Sequence, residues 1–183
     1  MTKAIMNTLA VMAVLLSGAA PSVAQTYSNH INIGTGYLFS RGIEVNLAFE
    51  HETKYHKSWE YFGNYYFQYA DDPRAGHITS KTFWNNYRVI EGGVAYKPCV
   101  VRARNSHGNM RIGAGLGGKF ETDEYDNESS GFVYCIHAGY EHDYNLRHGW
   151  QLYWQLKADL TFRGKDAFRG GIGLGLKIPT DRR

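Results

Sequence analysis

Two strand-length runs between residues 150 and 178 divide cleanly into an apolar face and a polar face. The apolar positions of the first run are Trp150, Leu152, Trp154, Leu156, Ala158, Leu160 and Phe162. In the second run, Phe168, Ile172, Leu174, Leu176 and Ile178 share one face, and glycines, Arg169 and Lys177 occupy the other. A period of two predicts β-strands whose two sides differ in chemistry. Because a short turn at 164–167 separates the runs, they predict a hairpin.

The same alternation recurs upstream in six further segments, which are separated by turn residues and polar connections. These strands are predicted near 31–39, 43–50, 59–69, 87–96, 110–120 and 132–141. Loops are predicted at 70–86, 102–108, 121–130 and 143–149. About eight short, evenly spaced strands indicate an all-β fold. Closing such a sheet into a small antiparallel up-and-down β-barrel removes its exposed edges.

Length and composition agree with one β-domain. The chain has 183 residues, 15% of them aromatic, with 21 glycines and only 4 prolines, which favours β-structure over helical or disordered structure. The formal net charge of +3 is too small to indicate a nucleic-acid partner. We interpret the basic group Arg102, Arg104 and Arg111 as turn charge, although Arg111 also falls on a polar strand face. No direct nucleic-acid contact is expected.

The first 24 residues have the features of a secretory signal peptide. Lys3 provides a basic start, residues 10–16 are apolar, and Ser22-Val23-Ala24 matches a small-x-small cleavage site. The apolar core is shorter than the roughly 20 residues that a membrane-spanning helix needs. We therefore predict an exported barrel domain at 25–183, either soluble outside the cytoplasm or inserted in the outer membrane.

The position of the aromatic residues favours the membrane-inserted barrel. On the apolar faces, aliphatic residues fill the middle of the strands and aromatic residues lie near the ends. The predicted aromatic girdle consists of Trp59, Tyr69, Phe132, Tyr140, Trp150 and Phe162. Such girdles flank the lipid-facing band of outer-membrane barrels. A soluble lipocalin-like barrel, in which the apolar face points inward around a ligand, is the alternative.

The polar faces carry charged residues interspersed with glycines. Eight strands enclose an interior just wide enough to be filled by side chains. The predicted lumen charges are Glu44, Glu91, Arg111, Glu141, Lys157, Asp159 and Arg169. Because buried charges need partners, we interpret these residues as a structural ion network.

The motifs that would indicate chemistry fail on spacing or context. His137, Glu141 and His142 would need a helix to bring them to one metal, whereas four strand residues span about 13 Å. Gly113, Gly115 and Gly117 lie within a strand and lack the strand-turn-helix context of a nucleotide loop. No nucleophile-elbow motif occurs. We expect no enzyme, no cofactor and no metal.

Two cysteines remain in the predicted mature domain. Export permits a disulfide, but Cys99 lies at a predicted strand end and Cys135 in the middle of a strand. Two Cα atoms more than about 7 Å apart cannot be bridged without backbone movement. Two separate buried thiols are therefore favoured over a bridge.

Three glycine-alternating segments resemble a known family, the TraO conjugal transfer proteins of conjugative transposons in Bacteroidota. These segments are Glu91-Gly92-Gly93-Val94-Ala95-Tyr96, Ile112-Gly113-Ala114-Gly115-Leu116-Gly117 and Phe168-Arg169-Gly170-Gly171-Ile172-Gly173-Leu174-Gly175-Leu176-Lys177. The resemblance implies a non-catalytic outer-membrane component of a type IV secretion-like transfer apparatus. It further implies other conjugative transfer proteins as partners.

Two alternatives remain open at the level of the sequence. One is an outer-membrane barrel unrelated to conjugation, acting as an adhesin or a small transporter. The other is the soluble lipocalin-like ligand-binding barrel.

Overall fold

The structure is a computed structural model that describes residues 28–68, 87–122 and 128–180. The strands are β1 Ser28–Leu38, β2 Gly42–Glu52, β3 Ser58–Gln68, β4 Tyr87–Lys97, β5 Cys99–Arg102, β6 Ser106–Thr122, β7 Glu128–Asn145, β8 Gln151–Phe162 and β9 Phe168–Pro179. Two short 3-10 turns lie at Lys54–His56 and Arg147–Gly149. No helix among these residues is long and apolar enough to cross a membrane. The predicted signal peptide, residues 1–24, and the predicted loop 70–86 lie outside the described residues.

The strands close into an antiparallel barrel. The hydrogen-bonded order is β4-β3-β2-β1-β9-β8-β7-β6-β5, and β4 also pairs with β6. The β1–β9 and β4–β6 pairings therefore complete a ring of eight strands. The short β5 continues beyond β4, after Pro98, and pairs only with the start of β6. The predicted eight-stranded up-and-down barrel is confirmed.

The two ends of the barrel differ in what connects the strands. We call the end with Ser28 and Pro179 the near end, because β1 begins and β9 finishes there. The connections at 53–57, 98–105 and 146–150 also lie at the near end. The tight turn at 39–41, the strand ends that flank 69–86 and 123–127, and the connection 163–167 lie at the opposite end, the far end.

Three loop predictions are wrong in extent. The described residues of the predicted loop 121–130, namely 121–122 and 128–130, are strand, because β6 and β7 stay paired as far as Thr122 and Glu128. The connection predicted at 143–149 starts three residues later, at residue 146, because Asp143 and the two residues after it pair with β8. Part of the predicted connection 102–108 belongs to β5 and β6. In each case, cross-strand pairing outweighs the local polarity that favours a turn.

The two surfaces of the barrel have opposite chemistry. The outer surface exposes large aliphatic side chains midway along the strands, with relative exposures of 48–63%. They include Ile33, Leu47, Ile90, Ile112, Ile136 and Leu174. The buried side chains inside the barrel are mostly polar or charged. A lipocalin-like barrel has the reverse arrangement, so that alternative is wrong.

Candidate functional site in the barrel lumen

The structure places all seven predicted lumen charges inside the barrel, and none of them is more than 6% exposed. They are Glu44, Glu91, Arg111, Glu141, Lys157, Asp159 and Arg169. Successive side chains of a β-strand point to opposite faces of the sheet, and each of these residues occupies an inward-facing position in its strand. Arg111 is therefore a lumen residue, and its interpretation as solvated turn charge is wrong. The seven residues belong to two groups, which also contain residues that the sequence interpretation left out.

The near-end cluster is built around two lysines that are fully buried, Lys97 of β4 and Lys177 of β9. Lys97 Nζ lies 2.8 Å from Glu50 and 3.1 Å from Glu60, and it also contacts Glu141. Lys177 Nζ lies 2.9 Å from Glu50, 2.7 Å from Glu141 and 2.9 Å from Asp143. Arg111 Nε donates to Glu60 at 2.8 Å. Four buried carboxylates therefore share three cations, which satisfies the requirement that buried charges be paired.

The middle cluster lies deeper, toward the far end. Its residues are Glu44, Glu91, Cys135, His137, Lys157, Asp159 and Arg169. Arg169 donates to Glu91 at 3.2 Å, and Lys157 donates to Glu44. The ring nitrogens of His137 lie 3.4 Å from Glu91 and 3.0 Å from Asp159. Phe62 stands between the two clusters, edge-on to His137 at 4.9 Å and beneath the guanidinium of Arg111 at 4.6 Å.

An apolar layer lies beyond the middle cluster. Its members are Leu38, Tyr66, Tyr87, Val89 and Val133, each at most 1% exposed. Tyr66 and Tyr87 meet edge-on at 6.0 Å, and the guanidinium of Arg169 lies 5.1 Å from the Tyr66 ring. In the described part of the barrel, the polar interior therefore ends against packed side chains. This apolar cap separates the charged lumen from the far end.

The near end of the lumen is partly covered by the 3-10 turn between β2 and β3. His56 in this turn stacks on His107 at 4.4 Å, and His107 lies 3.1 Å from Asp143 of the near-end cluster. Arg102 of β5 donates to the carbonyl of Tyr55 at 2.7 Å and lies over the Tyr55 ring at 5.1 Å. These contacts hold the turn against the start of β6.

Four of the predicted girdle residues lie near strand ends on the outer surface. Trp59 and Trp150 are at the near end, Phe132 and Phe162 are toward the far end, and their exposures range from 39% to 62%. Tyr140 pairs with Leu156 at the middle of β8, so its assignment to a rim is wrong. Tyr69 lies outside the described residues. Further exposed aromatic residues with the same outward parity are Phe39, Phe49, Tyr65, Phe120, Tyr134, Tyr144 and Phe168.

The sequence interpretation missed several members of the near-end cluster. Glu50, Glu60 and Lys177 share the parity of the lumen charges in their strands, so the alternation already contained that signal. Asp143 continues the parity of His137 and Glu141, but the predicted turn obscured it. Lys97 was missed because it directly precedes Pro98.

The two cysteines are not paired with each other. Cys135 is 2% exposed inside the barrel. Cys99 is only partly buried, which differs from the predicted pair of buried thiols, because β5 lies at the rim and Cys99 pairs only with Asn109 of β6.

Comparison with known proteins finds similarity in three-dimensional structure but not in sequence. No protein-family model matches it, and no curated protein sequence matches it significantly. A major outer membrane protein of Thermus thermophilus superposes with a TM-score of 0.61 at 13% identity, over 83% of this chain and 98% of that chain. The fold is that of an outer-membrane β-barrel. Ail, the attachment invasion locus protein of Yersinia pestis, superposes with a TM-score of 0.52 at 13% identity, over 82% and 96% of the two chains.

Proposed function

We propose that this protein is a non-catalytic β-barrel of the outer membrane that serves a conjugative-transposon DNA-transfer apparatus. The observation that carries the membrane assignment is the outer surface of the closed barrel. Side chains such as Leu47 and Leu174, 58% and 63% exposed, form its middle band. A continuous apolar band of this kind is unfavourable in water, and exposed aromatic rims are typical of a lipid interface.

The packed lumen supports a structural role over transport. A transporter needs a polar path, but the charges inside this barrel are paired with one another, and the apolar cap lies between them and the far end. The role in DNA transfer is supported by the resemblance of residues 91–96, 112–117 and 168–177 to the TraO family.

Deletion of the gene from its host element, followed by measurement of transfer frequency, tests the conjugative role. We expect transfer to fall and to recover when the whole chain is supplied in trans. Unchanged transfer frequency in the deletion strain would contradict this role. A variant with Leu174→Arg, which disturbs the apolar band, should not restore transfer, whereas the rim variant Phe168→Arg should restore it.

Cell fractionation and gel migration test the barrel separately. Folded outer-membrane barrels migrate differently before and after boiling, so we expect heat-modifiable migration of protein from the outer-membrane fraction. Recovery of the protein from the soluble periplasmic fraction would contradict the membrane assignment, whatever the result for transfer.

Surface attachment is a second candidate, favoured by the β6–β7 hairpin. Phe162, the last residue of β8, pairs with Tyr134, so the residues of β7 from Glu128 to Val133 extend beyond β8 at the far end. The structural neighbour Ail is described as an attachment invasion protein. Loss of host-surface binding by the deletion strain, with normal conjugation, would favour this candidate.

A further inference from the structure

Three potential metal ligands converge in the middle cluster. Glu91 projects inward from β4, and Cys135 and His137 project inward from β7. One ligand atom from each lies within 4.8 Å of the other two, and all three residues are buried. The two strands do not pair with each other but flank β6 on either side, so the β4–β6–β7 part of the sheet brings the ligands together.

His137 has the orientation of a metal-binding imidazole. Its Nδ1 lies 3.0 Å from an oxygen of Asp159, and its Nε2 lies 3.4 Å from Oε1 of Glu91. The Nε2 atom makes no hydrogen bond in the described structure, whereas Nδ1 is within hydrogen-bond distance of Asp159. A carboxylate beside one ring nitrogen, with the other nitrogen directed at the ligands, is the usual arrangement around a bound metal.

Two hydrogen bonds hold the carboxylate of Glu91 in its position. Asn64 donates to Oε1 at 2.8 Å, and Arg169 donates to Oε2 at 3.2 Å. Arg169 also lies 3.2 Å from the sulfur of Cys135. The guanidinium therefore occupies the Oε2 side of Glu91, whereas His137 faces Oε1. A cation on the Oε1 side can bind without displacing Arg169 from Oε2.

The charges of the middle cluster do not balance on their own. Among the described residues of this cluster, the carboxylates of Glu44, Glu91 and Asp159 face only two permanent cations, Lys157 and Arg169. A divalent cation together with a thiolate at Cys135 adds one net positive charge, which makes the cluster neutral. The charge balance is therefore compatible with a bound divalent metal, although the near-end cluster carries the same excess of one carboxylate over its cations.

We propose that Glu91, Cys135 and His137 bind a divalent transition metal in the lumen, with zinc as the best fit. One carboxylate oxygen, one thiolate sulfur and one imidazole nitrogen form a ligand set of intermediate softness that suits zinc. Calcium and magnesium prefer oxygen ligands alone. Binding requires deprotonation of Cys135, so the thiol proton leaves to solvent as the metal enters. Asp159 acts as a positioning residue for His137.

The test uses cobalt as a spectroscopic substitute for zinc. The whole chain is purified folded in detergent, stripped with a chelator and incubated with Co²⁺ until the spectrum is constant. We expect one Co²⁺ per chain, a thiolate-to-cobalt charge-transfer band, and loss of that band on addition of Zn²⁺. Absence of the band in the wild-type protein would overturn the proposal.

Two cysteine variants assign the sulfur ligand. In Cys99→Ser the only remaining thiol is Cys135, so the band should persist at full stoichiometry. In Cys135→Ser it should disappear. If Cys135→Ser fails to fold, Cys99→Ser alone still identifies the sulfur ligand, because its band can come only from Cys135. Loss of the band in folded Cys99→Ser would contradict the proposal. Persistence of the band in folded Cys135→Ser would contradict it equally.

Histidine and aspartate variants test the remaining geometry. His137→Gln should abolish the band, whereas the matched control His142→Gln, on the outward face of the same strand, should retain it. Asp159→Asn should keep the band but weaken Co²⁺ affinity by about 10–100-fold, as expected for loss of a partner that orients a ligand. An affinity of Asp159→Asn equal to that of the wild type would remove Asp159 from the site.

Discussion

Replacement of the two buried lysines tests whether the near-end cluster acts as one unit. In Lys97→Met, three carboxylates lose a cation, but each keeps another. Glu60 keeps the hydrogen bond from Arg111 at 2.8 Å. Lys177 remains 2.9 Å from Glu50 and 2.7 Å from Glu141. Breaking a buried ion pair typically costs about 3–5 kcal/mol. Because no carboxylate is fully orphaned, we expect the lower end, about 3 kcal/mol of unfolding free energy.

The double variant Lys97→Met/Lys177→Met removes both cations from Glu50 and Glu141. Each lysine compensates for loss of the other at these two carboxylates, so the double variant should lose more than the sum of the single losses. The excess should lie in the range of about 0.5–3 kcal/mol that is typical of coupled neighbours. Urea unfolding in detergent, followed by tryptophan fluorescence, gives the three free energies.

The control for this experiment is Lys119→Met. Lys119 lies 3.6 Å from Glu121, and their side chains are 25% and 35% exposed. An exposed pair of this kind contributes less than about 1 kcal/mol. The reasoning is refuted if the double variant is additive within about 0.5 kcal/mol, or if Lys97→Met is no more destabilising than the control.

Three further predictions concern packing, lipid contact and conduction. Gly175→Ala should destabilise the barrel by about 1–3 kcal/mol in urea unfolding, because the added methyl would overlap the Tyr153 ring and lie 2.6 Å from a backbone carbonyl. Gly63→Ala, whose methyl would have its nearest neighbours at 3.9 Å, should be nearly neutral. Leu174→Arg should cost about 2–4 kcal/mol in vesicles and Phe168→Arg, at the start of the same strand, about 0–1; equal costs would contradict the lipid-facing band. The purified protein should not conduct ions in planar bilayers, since the apolar cap blocks the lumen, and steady conductance would contradict a packed interior.

Local alternation was sufficient to predict the barrel and the direction of most side chains. In β2, Glu44, Asn46 and Glu50 point inward and Val45 and Leu47 outward, as a period of two requires. The alternation within each strand gives these directions, so the neighbouring strands need not be known. The ends of strands were less predictable, because Asp143 and the residues around 121–130 are polar but remain paired across the sheet.

Ion-pair partners could not be predicted, because they depend on strand order and register. His137 illustrates the point. Considered alone in its strand, it suggested Glu141 and His142 as co-ligands, and the extended backbone separates these residues. In the structure it faces Glu91 of β4 and Asp159 of β8. Because these three residues lie on different strands, the residue spacing within one strand could not predict their contacts.

The lumen ion pairs also constrain how the chain reaches the membrane. Their partners are 47 residues apart for Lys97 and Glu50, 78 for Arg169 and Glu91, and 113 for Lys157 and Glu44. None of these pairs joins adjacent strands, so no isolated hairpin can form one. An open sheet in lipid would separate Lys157 from Glu44 and Arg169 from Glu91, at a high free-energy cost, whereas Lys97 would keep Glu60 on the adjacent strand β3. We therefore expect slow, highly cooperative folding, in which ring closure accompanies insertion and partly closed intermediates do not accumulate.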